Sequence, residues 1–467
     1  MMRTFAKLAS RRTANESWSG EMSLTRHLAR IPVLLAGTLG IALGGYGAAS
    51  ESVSWSTAPP GGQQATDVPQ LVAITSDDNF GDEAVYRPVG GMQGYLDLLG
   101  GWKNPMNQPT AMPFDGSVVR ATFFLTTLYM NPRWNVSNDL PVWRAAFAAG
   151  HEIANHTDAH HNGGFWVLGM ERNTANTSVF AGDADNCCGA RNWTVEQWRR
   201  EIAKANAMLL GKHGVGATQA DLIGFRAPFL AYDDAMLSSL AQLGYRYDSS
   251  IPNCFAPKDD GRRCSWPYTL DQGSPDADTL TARFGWATVG RHPGLWEIGP
   301  TTFFVPDDML AERYAFKAGL RQRIATAMRA SIVTGADGRP TQGRFHYPTL
   351  FDPDTGAFSG LDYSLLMDAK VSPDEMLAIL KYTLDQHLAG NHAPFVLCTH
   401  SFLYAFDDAA SGKSGELHNP DTPTLAVRNA RWAALAAFIR YAHQRPEVRM
   451  TSVADIVSYM ERYAVQR

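Results

Sequence analysis

Five short stretches of this 467-residue chain hold side chains able to do chemistry. Asp77 and Asp78 follow an apolar run, and His156 and His160 stand four apart in His-Thr-Asp-Ala-His. Arg226-Ala227-Pro228-Phe229 follows a short apolar segment, Asp248 lies in Tyr-Asp-Ser-Ser, and His400 ends Leu-Cys-Thr-His. Two imidazoles four residues apart can share one side of a helical turn, the spacing of a metal-binding pair. A carboxylate beside them completes a donor set for a divalent ion. Each piece alone has an ordinary reading. An Asp pair after a strand is usually a turn or a cap, and a His at the end of an apolar strand is usually a satisfied core residue. Their joint occurrence, each at the end of a β-rich run, points instead to one assembled site.

The elements that would position these residues alternate in type. Strands are expected over residues 70–75, 118–126, 152–155, 222–225, 295–298 and 394–399. Helices are expected over 140–149, 194–210, 233–243, 307–330, 372–388, 424–443 and 453–463. In the segment 194–210, Val195, Trp198, Ile202, Ala205 and Leu209 fall on one helical face. Strands alternating with helices imply a parallel sheet, and this many units imply a barrel, whose chemistry gathers where strands end. Composition agrees with a folded enzyme: 45% hydrophobic and 19% charged residues exclude a disordered chain. A net charge of -5 leaves no basic face, so nucleic acid is not an expected partner.

On those motifs the sequence resembles the polysaccharide deacetylase family, also called carbohydrate esterase family four or the NodB-homology family. Thr75-Ser76-Asp77-Asp78 matches its first motif, with Ser76 where the family has Phe. His156 to His160 matches the second, Arg226 to Phe229 the third, and Leu397 to His400 the fifth. Asp248, followed by Trp266, is the best match to the fourth. Surrounding segments, among them Trp-Pro-Tyr-Thr-Leu and Leu-Trp-Glu-Ile, look most like the chitin deacetylases of arthropods. The resemblance implies a distorted (β/α) barrel of the polysaccharide deacetylase type with long loop insertions. It implies a divalent ion, Zn2+ first and Co2+ next, held by Asp78, His156 and His160. Asp77 would then be the general base, Arg226 its partner, and His400 the general acid, made more basic by Asp248. Phe229 would offer a backbone oxyanion donor, and Trp266 would wall the His or the acetyl pocket. The implied activity is removal of N-acetyl groups from a chitin-like or peptidoglycan polymer. Acetyl-xylan esterase action and silent carbohydrate binding are the alternatives.

Residues 1–50 read as a leader, with a signal-like segment near 22–50: Arg26 and Arg30, an apolar stretch over 31–46, then small residues. No stable membrane span is expected after processing, because that stretch is shorter than the roughly 20 residues a spanning helix needs. Residues 51–68 read as a flexible linker and 69–467 as the catalytic domain. Export would make the five cysteines interpretable. Cys254 and Cys264 bracket a short polar loop and are the best candidate pair, while Cys398 has the adjacent Cys187 and Cys188 as its only other partners.

Overall fold

The computed structural model describes residues 52–79, 91–106, 112–130, 139–164, 192–256, 258–334, 340–342, 350–405 and 424–464, all within one compact unit, Ala49–Arg467. The leader, Cys187 and Cys188 lie outside the described residues.

The strands in chain order are β1 (Gln70–Asp77), β2 (Ala121–Leu125), β3 (Glu152–Asn155), β4 (Gly224–Phe225), β5 (Tyr247–Asp248), β6 (Tyr268–Thr269) and β7 (Trp296–Glu297). They continue with β8 (Phe303–Phe304), β9 (Ile332–Thr334), β10 (Pro340–Gln342), β11 (Ala357–Phe358), β12 (Phe395–His400) and β13 (Val448–Met450). The helices are α1 (Gly91–Leu99), α2 (Asp139–Ala148), α3 (Val195–Leu209), α4 (Asp234–Leu243) and α5 (Pro275–Phe284). They continue with α6 (Ala311–Tyr314), α7 (Leu320–Ser331), α8 (Pro373–Leu388), α9 (Leu425–His443) and α10 (Val453–Ala464).

The main sheet runs β12-β1-β2-β3-β4-β5-β7-β6, parallel throughout except for β6, and β13 joins β1. Val72 pairs with Phe395 of β12 and with Met450 of β13, so β13 supports the first half of β1 and β2 its second half. The open side between β7 and β12 is bridged by the segment after β7. There the Thr301 N–H donates to the Val396 carbonyl at 3.0 Å, and the Val396 N–H donates to Thr301 Oγ1 at 2.9 Å. The result is a distorted (β/α) barrel. It is closed by a loop where a further strand would stand.

Local chemistry explains why the helices begin where they do. Thr194 and Gln197 form a capping box at the start of α3, and Ser372 and Glu375 form another at α8, which also has Pro373 in its first turn. The single helix expected over 307–330 is instead broken. Ala315 and Gly319 take left-handed conformations (φ 59° and 84°), which separate α6 from α7. Alternation along β1 divides the core: Val72 and Ile74 pack with Tyr95, Leu435 and Phe438, whereas Leu71 and Ala73 face the cluster that holds Phe124, Ala154 and Val396.

Residues 52–68 are docked rather than flexible. Val53 and Thr269 exchange hydrogen bonds of 2.9 Å, the Trp266 N–H donates to the Ser56 carbonyl, and Asn391 Nδ2 donates to the Thr57 carbonyl at 2.7 Å. The edge strand β6 has unpaired backbone groups, and this segment covers them. Serine, glycine and proline content therefore marks an irregular strap here, not a free tether. Among the described residues no helix is long and apolar enough to cross a membrane.

Candidate active site

Strand ends on one side of the barrel bring the motif residues together. β1 is buried along its whole length and delivers Asp77 into the lumen, and Asp78 then turns away with φ 50°. The register places Asp77 opposite His400 on β12. His156 follows β3 directly, and His160 closes the next turn, so one carboxylate oxygen and two imidazole nitrogens lie within 4.8 Å of one another. Asp78 Oδ1 is 3.7 Å from His156 Nε2 and 3.0 Å from His160 Nε2.

The surroundings of these three groups suit a divalent ion. His156 donates Nδ1–H to the Arg226 carbonyl at 2.8 Å, which turns its Nε2 lone pair toward Asp78. Burial holds the His156 pKa down to about 4 despite the pull of Asp77 and Asp78, so the ring is neutral, as a ligand must be. Burial works to raise the Asp78 pKa, yet the neighbouring His160 and His156 carry it well below the usual carboxylate range. Two nitrogens and one oxygen form a mixed donor set that fits Zn2+ or Co2+ better than Mg2+ or Ca2+.

Beneath them Arg226 is fully buried and crosses the lumen. Its Nη1 lies 2.8 Å from Asp77 Oδ1, 2.8 Å from Thr75 Oγ1 and 3.2 Å from Cys398 Sγ. Nε and Nη2 donate to the carbonyl and hydroxyl of Ser249, both at 2.9 Å. The guanidinium also sits 4.1 Å above the Phe124 ring. Cys398 is free, and its thiol donates to Asp77 Oδ2 at 3.5 Å. Both carboxylate oxygens of Asp77 are thus held, and the expected pairing of Cys398 with Cys187 or Cys188 has no counterpart among the described residues. Cys254 and Cys264 are joined in a disulfide.

The partner of His400 is Asp362, which the sequence did not mark. Asp362 Oδ1 accepts from His400 Nδ1 at 2.7 Å, and Oδ2 accepts from the His400 backbone N–H at 3.0 Å. The Tyr404 hydroxyl lies near the same carboxylate. Burial would lower the His400 pKa, but Asp362 outweighs it and lifts the imidazole to about 9, with Asp77 and Asp78 adding to the effect. Asp362 opens a short helical turn that continues into Ser364–Asp368, and a parallel bridge from Leu361 to Cys398 ties the start of this turn to the sheet. Gly360 allows the approach, since a Cβ there would lie 2.0 Å from the Thr301 carbonyl oxygen. A glycine two residues before an Asp was the one local signal.

Two expected roles are corrected. Asp248 does not serve His400: it accepts from Ser250 Oγ at 2.6 Å, and that hydroxyl oxygen in turn accepts the Ala227 N–H at 2.8 Å. It therefore shapes the turn that carries Phe229. Trp266 stands at the other end of the barrel, where its Nε1 donates to the Asn391 carbonyl ahead of β12 and its ring stacks on Tyr459. It is a core residue because its indole fills the space between the strap and α10. Phe229 itself is left-handed (φ 61°), with its ring 4.7 Å from that of His160.

The barrel thus gathers carboxylates and imidazoles at its strand ends. The sequence profile of the polysaccharide deacetylase family matches residues 114–247, which hold His156, His160, Arg226 and Phe229. Over those residues the chain is similar to that family, and it is also similar to a chitin deacetylase. Chitin deacetylase 1 of Bombyx mori is 25% identical over 217 residues, which are 46% of this chain and 30% of that protein. The chain thus spans less than a third of the length of that relative. A structure from Mycobacterium smegmatis assigned to the polysaccharide deacetylases is 16% identical, covers 88% of this chain and 93% of its own, and gives a TM-score of 0.42. A family 4 carbohydrate esterase from Streptomyces lividans, solved with acetate, is 18% identical over 48% of this chain and 80% of its own, with a TM-score of 0.22.

Proposed function

We propose that the protein is a secreted, metal-dependent hydrolase that removes N-acetyl groups from N-acetylglucosamine-containing polysaccharide, chitin-like or peptidoglycan, and releases acetate. The observation that carries this reading is the placement of two held groups beside one metal donor set: Asp77 on Arg226, and His400 on Asp362. The ion proposed for Asp78, His156 and His160 is zinc, with cobalt(II) as the other ion these donors suit. A divalent cation bound there supplies Lewis acidity, polarising the acetyl carbonyl and making water a stronger acid.

The chain's own residues do the rest. Asp77, fixed by Arg226 and Cys398, takes the proton of the attacking water. The backbone N–H of Phe229, presented by its left-handed turn, donates to the developing oxyanion. His400, kept protonated by Asp362 near neutral pH, delivers a proton to the departing sugar nitrogen. That last feature favours N- over O-deacetylation, because an amide nitrogen must be protonated to leave and an alkoxide depends on it less. The disulfide and the signal-like leader support an extracellular setting.

The test uses full-length mature protein stripped with chelator and reloaded with Zn2+ or Co2+, and measures acetate released from chitin oligomers, peptidoglycan and acetylated xylan. Release from an N-acetylated polymer by the reloaded protein alone supports the proposal. Release from acetyl-xylan alone replaces it with an O-acetyl esterase. Sugar binding by metal-replete protein without acetate release replaces it with silent carbohydrate binding.

A further inference from the structure

The loop from His156 to His160 is built against the preference of its own backbone. Thr157 (φ 69°) and His160 (φ 51°) both occupy the left-handed region without being glycine. Such conformations persist only where their surroundings impose them. Two bonds come from within the loop and its strand: the Thr157 N–H donates to Asn155 Oδ1 at 2.7 Å, and the His160 N–H donates to Thr157 Oγ1 at 3.2 Å.

The middle of the loop is held from outside, by α3. The Ala159 N–H donates to Glu201 Oε1 at 2.6 Å. One turn on, Lys204 Nζ pairs with Asp158 Oδ2 at 2.6 Å, while Asp158 Oδ1 accepts from Thr127 Oγ1 at 2.6 Å. Further along the same helix, Asn206 Oδ1 accepts from Asn155 Nδ2 at 2.8 Å and from the Tyr245 hydroxyl at 2.6 Å. Three side chains of one helix thus reach the strand end and the loop that present two of the three donor groups. Glu201 is the one that bonds the residue next to His160.

On the reading of Asp78, His156 and His160 as a metal site, we propose that Glu201 is a positioning residue. It holds the Ala159–His160 backbone in the turn that aims His160 at Asp78 and His156, and Lys204 supports it through Asp158. Partners of this kind, one step removed from the metal, typically change affinity 10- to 100-fold when lost.

The experiment measures Zn2+ affinity of the stripped protein by chelator competition, without substrate, together with the Co2+ absorption spectrum and the apo thermal midpoint. Glu201→Ala is expected to weaken Zn2+ about 10- to 100-fold and to alter the Co2+ spectrum. Glu201→Gln, whose amide oxygen still accepts the Ala159 N–H, should restore affinity to within about threefold. Lys204→Ala should fall between them. Equal affinity of wild type and Glu201→Ala overturns the positioning role while leaving the metal reading intact. Loss in Glu201→Gln as deep as in Glu201→Ala also overturns it. Should Glu201→Ala not fold, wild-type affinity in Lys204→Ala and in Thr127→Val overturns it as well. Wild-type protein that binds neither ion overturns the metal reading and this proposal together. Wild-type protein that binds zinc but releases no acetate overturns the activity alone.

Discussion

The barrel buries two groups of acids and treats them in opposite ways. At the strand ends around Asp77, Asp78 and Asp362, every carboxylate faces a cation or an imidazole: Arg226, His160 and His400 lie at 2.8, 3.0 and 2.7 Å. On the flank formed by β5, β7 and β6, the carboxyls of the buried Asp248 and Glu297 and of the half-buried Asp276 meet hydroxyls, backbone amides and each other. Burial lifts Asp248 and Asp276 to about 6, and burial with Asp248 beside it pushes Glu297 well above the usual range. Glu297 and Asp248 are paired across neighbouring strands, and the nearby Asp248 adds to the rise at Glu297. Burial is thus met by cations and imidazoles at one place and by hydroxyls, amides and other acids at the other, where it raises the carboxyl pKa values.

The comparison breaks first at Asp77. Asp77→Asn keeps the shape but removes the base, so deacetylation should fall by about 10²–10⁴, the range for general acid–base catalysis, with zinc content unchanged in metal analysis. Near-full activity would remove Asp77 from the mechanism. Asp362→Asn comes next. A general acid works while protonated, so wild-type kcat/KM should fall as pH rises through about 9. Without the carboxylate that limb should move down toward the ordinary His value near 6.5, with roughly tenfold or more lost at pH 8. A pH–rate profile with an unmoved alkaline limb would show that His400 does not depend on Asp362. The same pair bears on stability: a raised imidazole pKa stabilises the fold at pH below the unfolded value, and that contribution disappears as pH passes about 9.

Strand ends were readable from sequence because β1, β3 and β12 are runs that end in their functional residues, so periodicity and chemistry mark the same positions. Asp77, Asp78, His156, His160 and His400 fall there, and Arg226 directly follows β4. Asp362 does not: its segment lacks alternation and owes its place to a glycine-allowed crossing over Thr301, a contact between residues 59 apart that no local pattern encodes. Asp248 misled for the converse reason. It stands at a strand end, but beside Glu297 on the neighbouring strand, and only the register shows that its near neighbour is another acid. The docked strap was hidden because its bonds are made by backbone groups to β6 and by Asn391, which side-chain composition does not report.

Glu297 gives the smallest and most discriminating test. Its carboxyl is protonated more readily in the fold than in the unfolded chain, so the wild type is most stable in acid and loses stability as pH rises through the ordinary carboxylate value near 4 and beyond. Glu297→Gln is neutral at every pH and keeps an oxygen for the Ile251 N–H, which the wild-type Oε1 accepts at 3.2 Å. Thermal unfolding at pH 4 should therefore be unchanged. At pH 8 the midpoint should rise by about 2–4 °C, the shift that ~1 kcal/mol produces in a large domain. Acetate release should hardly change, since Glu297 touches none of the groups at the strand ends. A midpoint lowered at pH 8 would mean that this flank holds a charge and needs it, and the contrast between the two acid groups would then no longer stand.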